Sequence, residues 1–231
     1  MFKMRNNIKC VIFCGGKGTR FNLGKSKILK PLAKINGEEI LKKIINLCVK
    51  QGIKSFLLLG GFNFKSLHKF SKKIKNLDIK TIDTGLNTPT AGRLKKIENF
   101  LENENFVLTY GDSLANFNLK KMLKNKTKNN MIINVFDYKI DYGLVKTKKN
   151  LVSGFDEKGT VMVNAGFYLL DKRIFKFINS TEDSFEYDVL PKLSKKKILN
   201  FVKLSKWFAI DKKNDLANLE TLIHTKKNYF K

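Results

Sequence analysis

A chain of 231 residues, 42% hydrophobic and 11% aromatic, can bury a sizeable core in one α/β domain and is too apolar to be a disordered segment. Its formal net charge of +26 comes from lysines spread from Lys3 to Lys231, with only four arginines, Arg5, Arg20, Arg93 and Arg173; proteins that read nucleic-acid sequence concentrate arginine on one element instead. No apolar run is long enough to cross a bilayer, and MFKMRNNIK leads into a strand-like segment without a signal-peptide core, so the expected location is the cytoplasm.

KCVIFC (9–14) reads as a buried strand, and the glycine-rich FCGGKGTRF (13–21) follows it directly. The dinucleotide fingerprint would need a glycine where Phe21 stands, and the P-loop pattern ending in Gly24-Lys25-Ser26 would need one where Thr19 stands. What remains is a turn whose amides form an anion-binding nest, with Lys17, Arg20 and Lys25 in reach of a polyphosphate. Further on, Pro31 is expected to hold the backbone around Lys30 extended. EEILKKIINLCVKQG (38–52) places Ile40, Leu41, Ile44, Ile45 and Cys48 on one helical face. SFLLLGGF (55–62) is a second buried strand, followed by a lysine-rich amphipathic helix, the strand IKTID (79–83), a helix from about Gly92 to Leu101, and the strand NFVLTYGD (105–112). Strands alternating with helices imply a largely parallel sheet with right-handed crossovers, which binds ligands at the carboxyl ends of its strands. The glycine loop, TGLNTPT and YGD should therefore meet at one edge. After residue 130 come shorter strands, MIINVF, YGLVK, LVSGF and NAGFYLLD, then a helical stretch near 185–193, strands ILNFVKL and KWFAID, and a helix near 213–224. Without an internal repeat or low-complexity linker, residues 1–231 read as a single domain with a small appended β/α part. The cysteines Cys10, Cys14 and Cys48 cannot all pair with one another and match no common zinc spacing, so they are expected to be small buried hydrophobes.

Asp112 and Asp211 both follow predicted strands. Each could cap the next helix; brought together, they would hold Mg²⁺ against phosphate oxygens. The loop DTGLNTPTAGRL (83–94) offers Thr88 or Thr90 as a helix cap, or backbone groups that read a base edge with Gly92 permitting close approach. Asn164, Glu186 and Asp188 stand beside apolar runs and suit either sugar hydroxyls or caps. Lys30 and Lys158 cannot be singled out from the other lysines on physical grounds alone.

In this order the motifs resemble those of the sugar-phosphate nucleotidyltransferases, most closely the glucose-1-phosphate cytidylyltransferase branch. GGKGTRF is similar to the family's signature loop, KPL to its lysine-proline segment, TPTAGRL and FVLTYGD to the cytidylyltransferase base and metal segments, FDEKG to its E-K-P, VNAGFYLL to its sugar strand, and WFAID to its late metal-binding stretch. The resemblance implies a Rossmann-like fold, with a nucleotide part over about 1–130 and an acceptor part over about 131–231. It implies a nucleotide site of Cys14, Gly15, Gly16, Lys17, Gly18, Thr19, Arg20, Thr90, Gly92, Arg93, Gly111 and Asp112. Tyr142, Gly143, Glu157, Lys158, Asn164, Ala165, Glu186 and Asp188 would face the acceptor. Arg20, Lys30 and Asp112 would be catalytic, Asp112 and Asp211 would bind Mg²⁺, and CMP would pass from CTP to a sugar 1-phosphate with release of pyrophosphate, as in surface polysaccharide biosynthesis. Departures at Ala91, Gly159 and Ala165, where the family carries glycine, proline and glycine, keep another phosphorylated sugar or a non-sugar phosphate as alternatives, beside the same reaction with another NTP. The family commonly associates, so a homo-oligomer is a further expectation. An inactive scaffold that binds nucleic acid or a regulatory partner through its lysines is the rival from a different class.

Overall fold

The computed structural model describes residues 8–21, 28–101, 105–226 and 229–230. Gly24, Lys25 and Ser26 of the sequence reading lie outside them. In chain order the elements are β1 (Lys9–Phe13), the small hairpin β2 (Lys34–Ile35) and β3 (Glu38–Glu39), α1 (Ile40–Lys50), β4 (Ser55–Gly60), α2 (Phe64–Ser71), β5 (Asp78–Asp83), α3 (Thr90–Lys95), β6 (Asn105–Tyr110), β7 (Ser113–Ala115), α4 (Leu119–Asn125), β8 (Met131–Lys139), the hairpin β9 (Leu144–Lys148) and β10 (Leu151–Asp156), β11 (Thr160–Asp171), α5 (Leu190–Lys195), β12 (Leu199–Lys203), β13 (Trp207–Ala209) and α6 (Lys213–Thr225). Among the described residues no helix is long and apolar enough to cross a membrane.

Seven strands form the central sheet in the order β12, β8, β11, β6, β1, β4, β5. β1 pairs in parallel with β4 and β6, β4 with β5, and β12 with β8, whereas β11 runs antiparallel to both of its neighbours. This is the mostly parallel mixed sheet expected from the sequence. Its central strands are apolar on both faces because helices cover both. Cys10, Ile12 and Cys14 pack with Ile40, Leu41, Ile44, Ile45 and Cys48 of α1 on one face, and Val11 and Phe13 pack with Ala91 and Leu94 of α3 on the other. The three cysteines are free and buried, as expected, with the sulfurs of Cys10 and Cys48 3.8 Å apart.

Three local expectations change. Lys30–Leu32 is a turn of 3₁₀ helix rather than extended chain, closed by Leu32 N donating to Leu29 O at 2.7 Å and Ala33 N to Lys30 O at 3.0 Å; the flanking Leu29 and Ala33 keep extended angles. α3 starts and stops earlier than its apolar spacing suggests. Past it, Glu98–Phe100 forms a 3₁₀ turn that buries Leu101 and offers Phe100 O to Lys9 Nζ at 2.8 Å. The expected helix near 185 opens as a π turn over Phe185–Val189 before α5 begins.

β11 carries an irregularity in which Asn164 pairs with Val135 and Tyr168 with Ile133. Gly166 takes a φ of +73° there, and a Cβ on it would lie 2.8 Å from the Tyr110 ring, so glycine is demanded both by the turn and by the space.

At the end of β11, the carboxylate of Asp171 accepts from Lys126 Nζ at 2.8 Å and from Arg173 Nε and Nη2 at 2.8 and 2.7 Å. Burial raises the Asp171 carboxyl pKa, but the bonds from Arg173 and Lys126 outweigh it and hold the group below the usual carboxylate value. A depressed carboxyl contributes stability above its unfolded pKa of about 3.9 and loses it as pH falls through the folded value. Asp171→Asn is therefore expected to cost about 3 kcal/mol at pH 7, because it leaves the buried Lys126 ammonium short of a counter-charge. Urea melts at pH 7 and pH 3 check this: the gap between variant and wild type should narrow at the acid pH.

Candidate active site

The carboxyl ends of β1, β4 and β5 are tied together by one side chain from α3. Arg93, 4% exposed, donates from Nη1 to Gly60 O and Thr84 Oγ1, both at 2.6 Å, and from Nη2 to Gly15 O at 3.1 Å. Strand ends leave carbonyls without ladder partners, and a planar guanidinium can serve several at once. The family resemblance implies that Arg93 lies around the nucleotide; in the structure its two terminal nitrogens bond the chain's own loops. Gly92 shows a similar change. A Cβ there would lie 1.8 Å from Thr181 O, and Gly92 N donates to Asp183 O at 3.2 Å, so the close approach it permits is made by backbone of the same chain. Gly15 is filled in the same way, its missing Cβ replaced by the Arg93 guanidinium at 2.1 Å. Gly16 differs: nothing lies within 4 Å of where its Cβ would be, which leaves room for a ligand.

A cavity of about 270 Å³ opens over this edge. The glycine loop supplies Cys14, Gly16, Gly18, Thr19 and Arg20 to its wall, the 3₁₀ turn supplies Lys30 and Pro31, α3 supplies Thr90, and the end of β6 supplies Tyr110, Gly111 and Asp112, with Asp211 completing it. Lys17 is exposed on the same loop. β7 and β13 pair antiparallel, Ala209 opposite Ser113, and Ile210 N donates to Asp112 O at 2.9 Å. That short ladder brings the two aspartates together across a long stretch of sequence. Lys30 Nζ lies 2.8 Å from Asp112 Oδ2 and 3.8 Å from Asp211 Oδ1, and Arg20 Nη1 lies 2.6 Å from Asp211 Oδ2. Two carboxylates converging on one cation form a hard-oxygen donor pair of the kind that suits Mg²⁺; among the described residues no third His, Cys, Asp or Glu joins them. Burial, and then Asp112, push the Cys14 thiol up, so this cysteine shapes the wall without being a reactive thiolate.

Beside these groups runs a second hydrogen-bonded chain, centred on Glu186. The Glu186 carboxylate accepts from Thr90 Oγ1 at 2.6 Å, from Ser184 Oγ at 2.9 Å and from the Tyr110 phenol. Burial raises the Tyr110 pKa well above the ordinary value, with Tyr168 and Glu186 adding to it, so the phenol keeps its proton. Tyr168, pushed up to about 12 chiefly by burial, shares a hydrogen bond with Tyr110 and accepts from Asn164 Nδ2 at 2.6 Å. Asn164 also caps the β11 irregularity through Gly166 N at 2.9 Å, and Trp207 Nε1 donates to Ala165 O at 2.9 Å. Asp188 is used as a cap, accepting from Ser184 N at 2.7 Å. Tyr142, Gly143, Glu157 and Lys158 flank the β9–β10 hairpin, which leaves β8 and returns to β11 at the ligand edge of the sheet, and none of the four lines the cavity. Tyr110 was not singled out from the sequence, although a phenol ending a buried strand immediately before Gly-Asp was there to be seen.

Parallel strands, a glycine loop and a pair of carboxylates at the strand ends make this a phosphate-handling α/β enzyme. A family model described as nucleotidyl transferase matches residues 9–226, and the chain belongs to that family. It is 28% identical to the probable glucose-1-phosphate cytidylyltransferase of Bacillus subtilis, over 93% of this chain and 96% of that one. It is 31% identical to the D-glycero-alpha-D-manno-heptose 1-phosphate guanylyltransferase of Campylobacter jejuni, over 78% and 83%. Among solved structures, HddC from Yersinia pseudotuberculosis complexed with GMP-PN superposes with a TM-score of 0.74 at 23% identity, covering 94% of this chain and 99% of that one.

Proposed function

We propose that this nucleotidyltransferase moves CMP from CTP to a sugar 1-phosphate resembling glucose 1-phosphate, in a Mg²⁺-dependent reaction that yields a CDP-sugar and pyrophosphate. The observation that carries the reading is the meeting of Asp112 and Asp211 at Lys30, beside Arg20 and the open Gly16, in one cavity. Asp112 and Asp211 would hold Mg²⁺, which supplies charge neutralisation and orientation to the phosphates. Arg20 and Lys30 bind phosphate oxygens, and the amides of the glycine loop cradle them. An oxygen of the acceptor phosphate forms a bond to the α-phosphorus of the nucleotide while the α–β bridging bond breaks, its electron pair leaving with pyrophosphate. The nucleophile is already an anion, so no side chain has to remove a proton. The work of the site is to hold two mutually repelling phosphates in line and to neutralise their charge.

The full-length relative at 28% identity favours CTP. A second reading, GTP with a heptose 1-phosphate, is favoured by the guanylyltransferase that is 31% identical. Pyrophosphate release measured with each of the four common NTPs against glucose 1-phosphate, heptose 1-phosphate and other phosphorylated acceptors separates them. Turnover is expected with CTP and to fall to background in EDTA, with recovery on adding Mg²⁺. Turnover confined to GTP would select the second reading; no turnover and no NTP binding by a folded protein would remove both.

A further inference from the structure

Glu186 does not line the cavity, whereas Thr90 and Tyr110, which hold its two oxygens, do. An ionised carboxylate has no proton to give, so both hydroxyls must donate to it. Thr90 Oγ1 spends its proton on Glu186 Oε2 and receives Phe185 N at 2.8 Å. Tyr110 spends its proton on Oε1, and Tyr168 behind it receives Asn164 Nδ2. The direction of both hydroxyl bonds at the cavity wall is thereby fixed by Glu186. The Tyr110 ring is held in place by Phe13 and Tyr168 at centroid distances of 5.5 and 6.3 Å and by the slot at Gly166.

We propose that Thr90 and Tyr110 form an acceptor-only patch of the cavity wall that selects for a neutral hydrogen-bond donor on the bound substrate, an O–H or N–H, and that Glu186 sets this polarity from behind as a positioning residue. Each hydroxyl retains a lone pair and neither has a proton left for the ligand. A phosphate oxygen meets repulsion here, while a donor is satisfied, and that difference sorts the neutral end of a substrate from its phosphates. The donor could belong to the sugar or to the base; both share this chemistry. The inference rests on the nucleotidyltransferase reading above for the identity of the substrates.

The test uses glucose 1-phosphate together with its deoxy and deoxyfluoro analogues at each ring position, and CTP and GTP, on the wild type, Tyr110→Phe and Glu186→Gln. The Phe variant keeps the ring and removes the oxygen. It is expected to raise KM about tenfold for the one substrate that carries the donor, with kcat changed less than about threefold. If the sugar carries it, one deoxy analogue is about tenfold poorer on wild type and no poorer than the parent on the variant. The deoxyfluoro analogue at that position, which can accept but not donate, should be as poor as the deoxy one. If the base carries it, the NTP KM moves instead and the analogue series is flat. Glu186→Gln, which can donate to Tyr110 and release its proton toward the cavity, should lose the discrimination against the fluoro analogue. A fluoro analogue that restores wild-type binding, or a Phe variant that loses kcat with neither KM altered, overturns the proposal while leaving the enzyme reading intact. A folded wild type that releases pyrophosphate from no pairing removes the enzyme reading and, with it, this one.

Discussion

Asp112→Asn is expected to lower pyrophosphate release by at least about 10³-fold, about 4 kcal/mol of transition-state stabilisation, while the melting temperature stays within about 2 °C of wild type. The substitution keeps the shape of the side chain and removes the charge that faces Lys30 Nζ at 2.8 Å. Because the carboxylate is partly open to solvent, at 37% exposure, and Lys30 Nζ keeps Asp211 at 3.8 Å as a second counter-charge, the fold draws little stability from it, whereas two phosphates and a divalent cation would all feel its loss. Steady-state turnover paired with a circular-dichroism melt measures both halves. A variant that keeps a tenth of wild-type activity would remove Asp112 from the proposed Mg²⁺ pair.

The largest stability effect should come from a single methyl group at Gly92. A Cβ there would sit 1.8 Å from Thr181 O and 2.6 Å from Thr181 C, both backbone atoms that cannot rotate away. Gly92→Ala is expected to cost about 3 kcal/mol or more and to lower the melting temperature by about 6–12 °C. Gly16→Ala, placed where nothing lies within 4 Å, should melt within about 2 °C of wild type and weaken nucleotide binding instead. Differential scanning fluorimetry of the two variants, with and without CTP, reads both outcomes. Equal melting temperatures would show that residues 179–183 can yield to α3.

What the sequence made legible follows from local patterns. β1, β4 and β6 were readable because parallel strands covered on both faces are continuous apolar runs, and the glycine loop because three glycines and two basic residues stand together behind one of them. Asp112 followed from its place at a strand end. The partnership of Asp112 with Asp211 was not legible by period or spacing, because the ladder that joins them, β7 with β13, is three residues on each side. They were paired on chemistry, two strand-end carboxylates in a chain with a phosphate-type loop, and on the family resemblance. The partners of Arg93 and Gly92, namely Gly60, Thr84, Gly15 and Thr181, were not legible because they are assembled by the fold, and a glycine or arginine in a polar loop looks the same whether it approaches a ligand or its own backbone. The end of α3 was misjudged because apolar spacing continues through Ile97 and Leu101 while the hydrogen bonding changes to 3₁₀.

The β7–β13 ladder also bears on how the molecule comes into being. With β11 inserted between β6 and β8 and Asp211 brought to Asp112 by the β7–β13 ladder, the half that carries the glycine loop is not a detachable module. A ribosome that has released everything through β11 has produced the glycine loop, Lys30 and Asp112, yet one carboxylate of the pair is still unsynthesised. The charged centre closes only when residues 207–211 fold back onto β7, so a chain truncated before that point would lack one carboxylate of the proposed Mg²⁺ pair however well its sheet has formed.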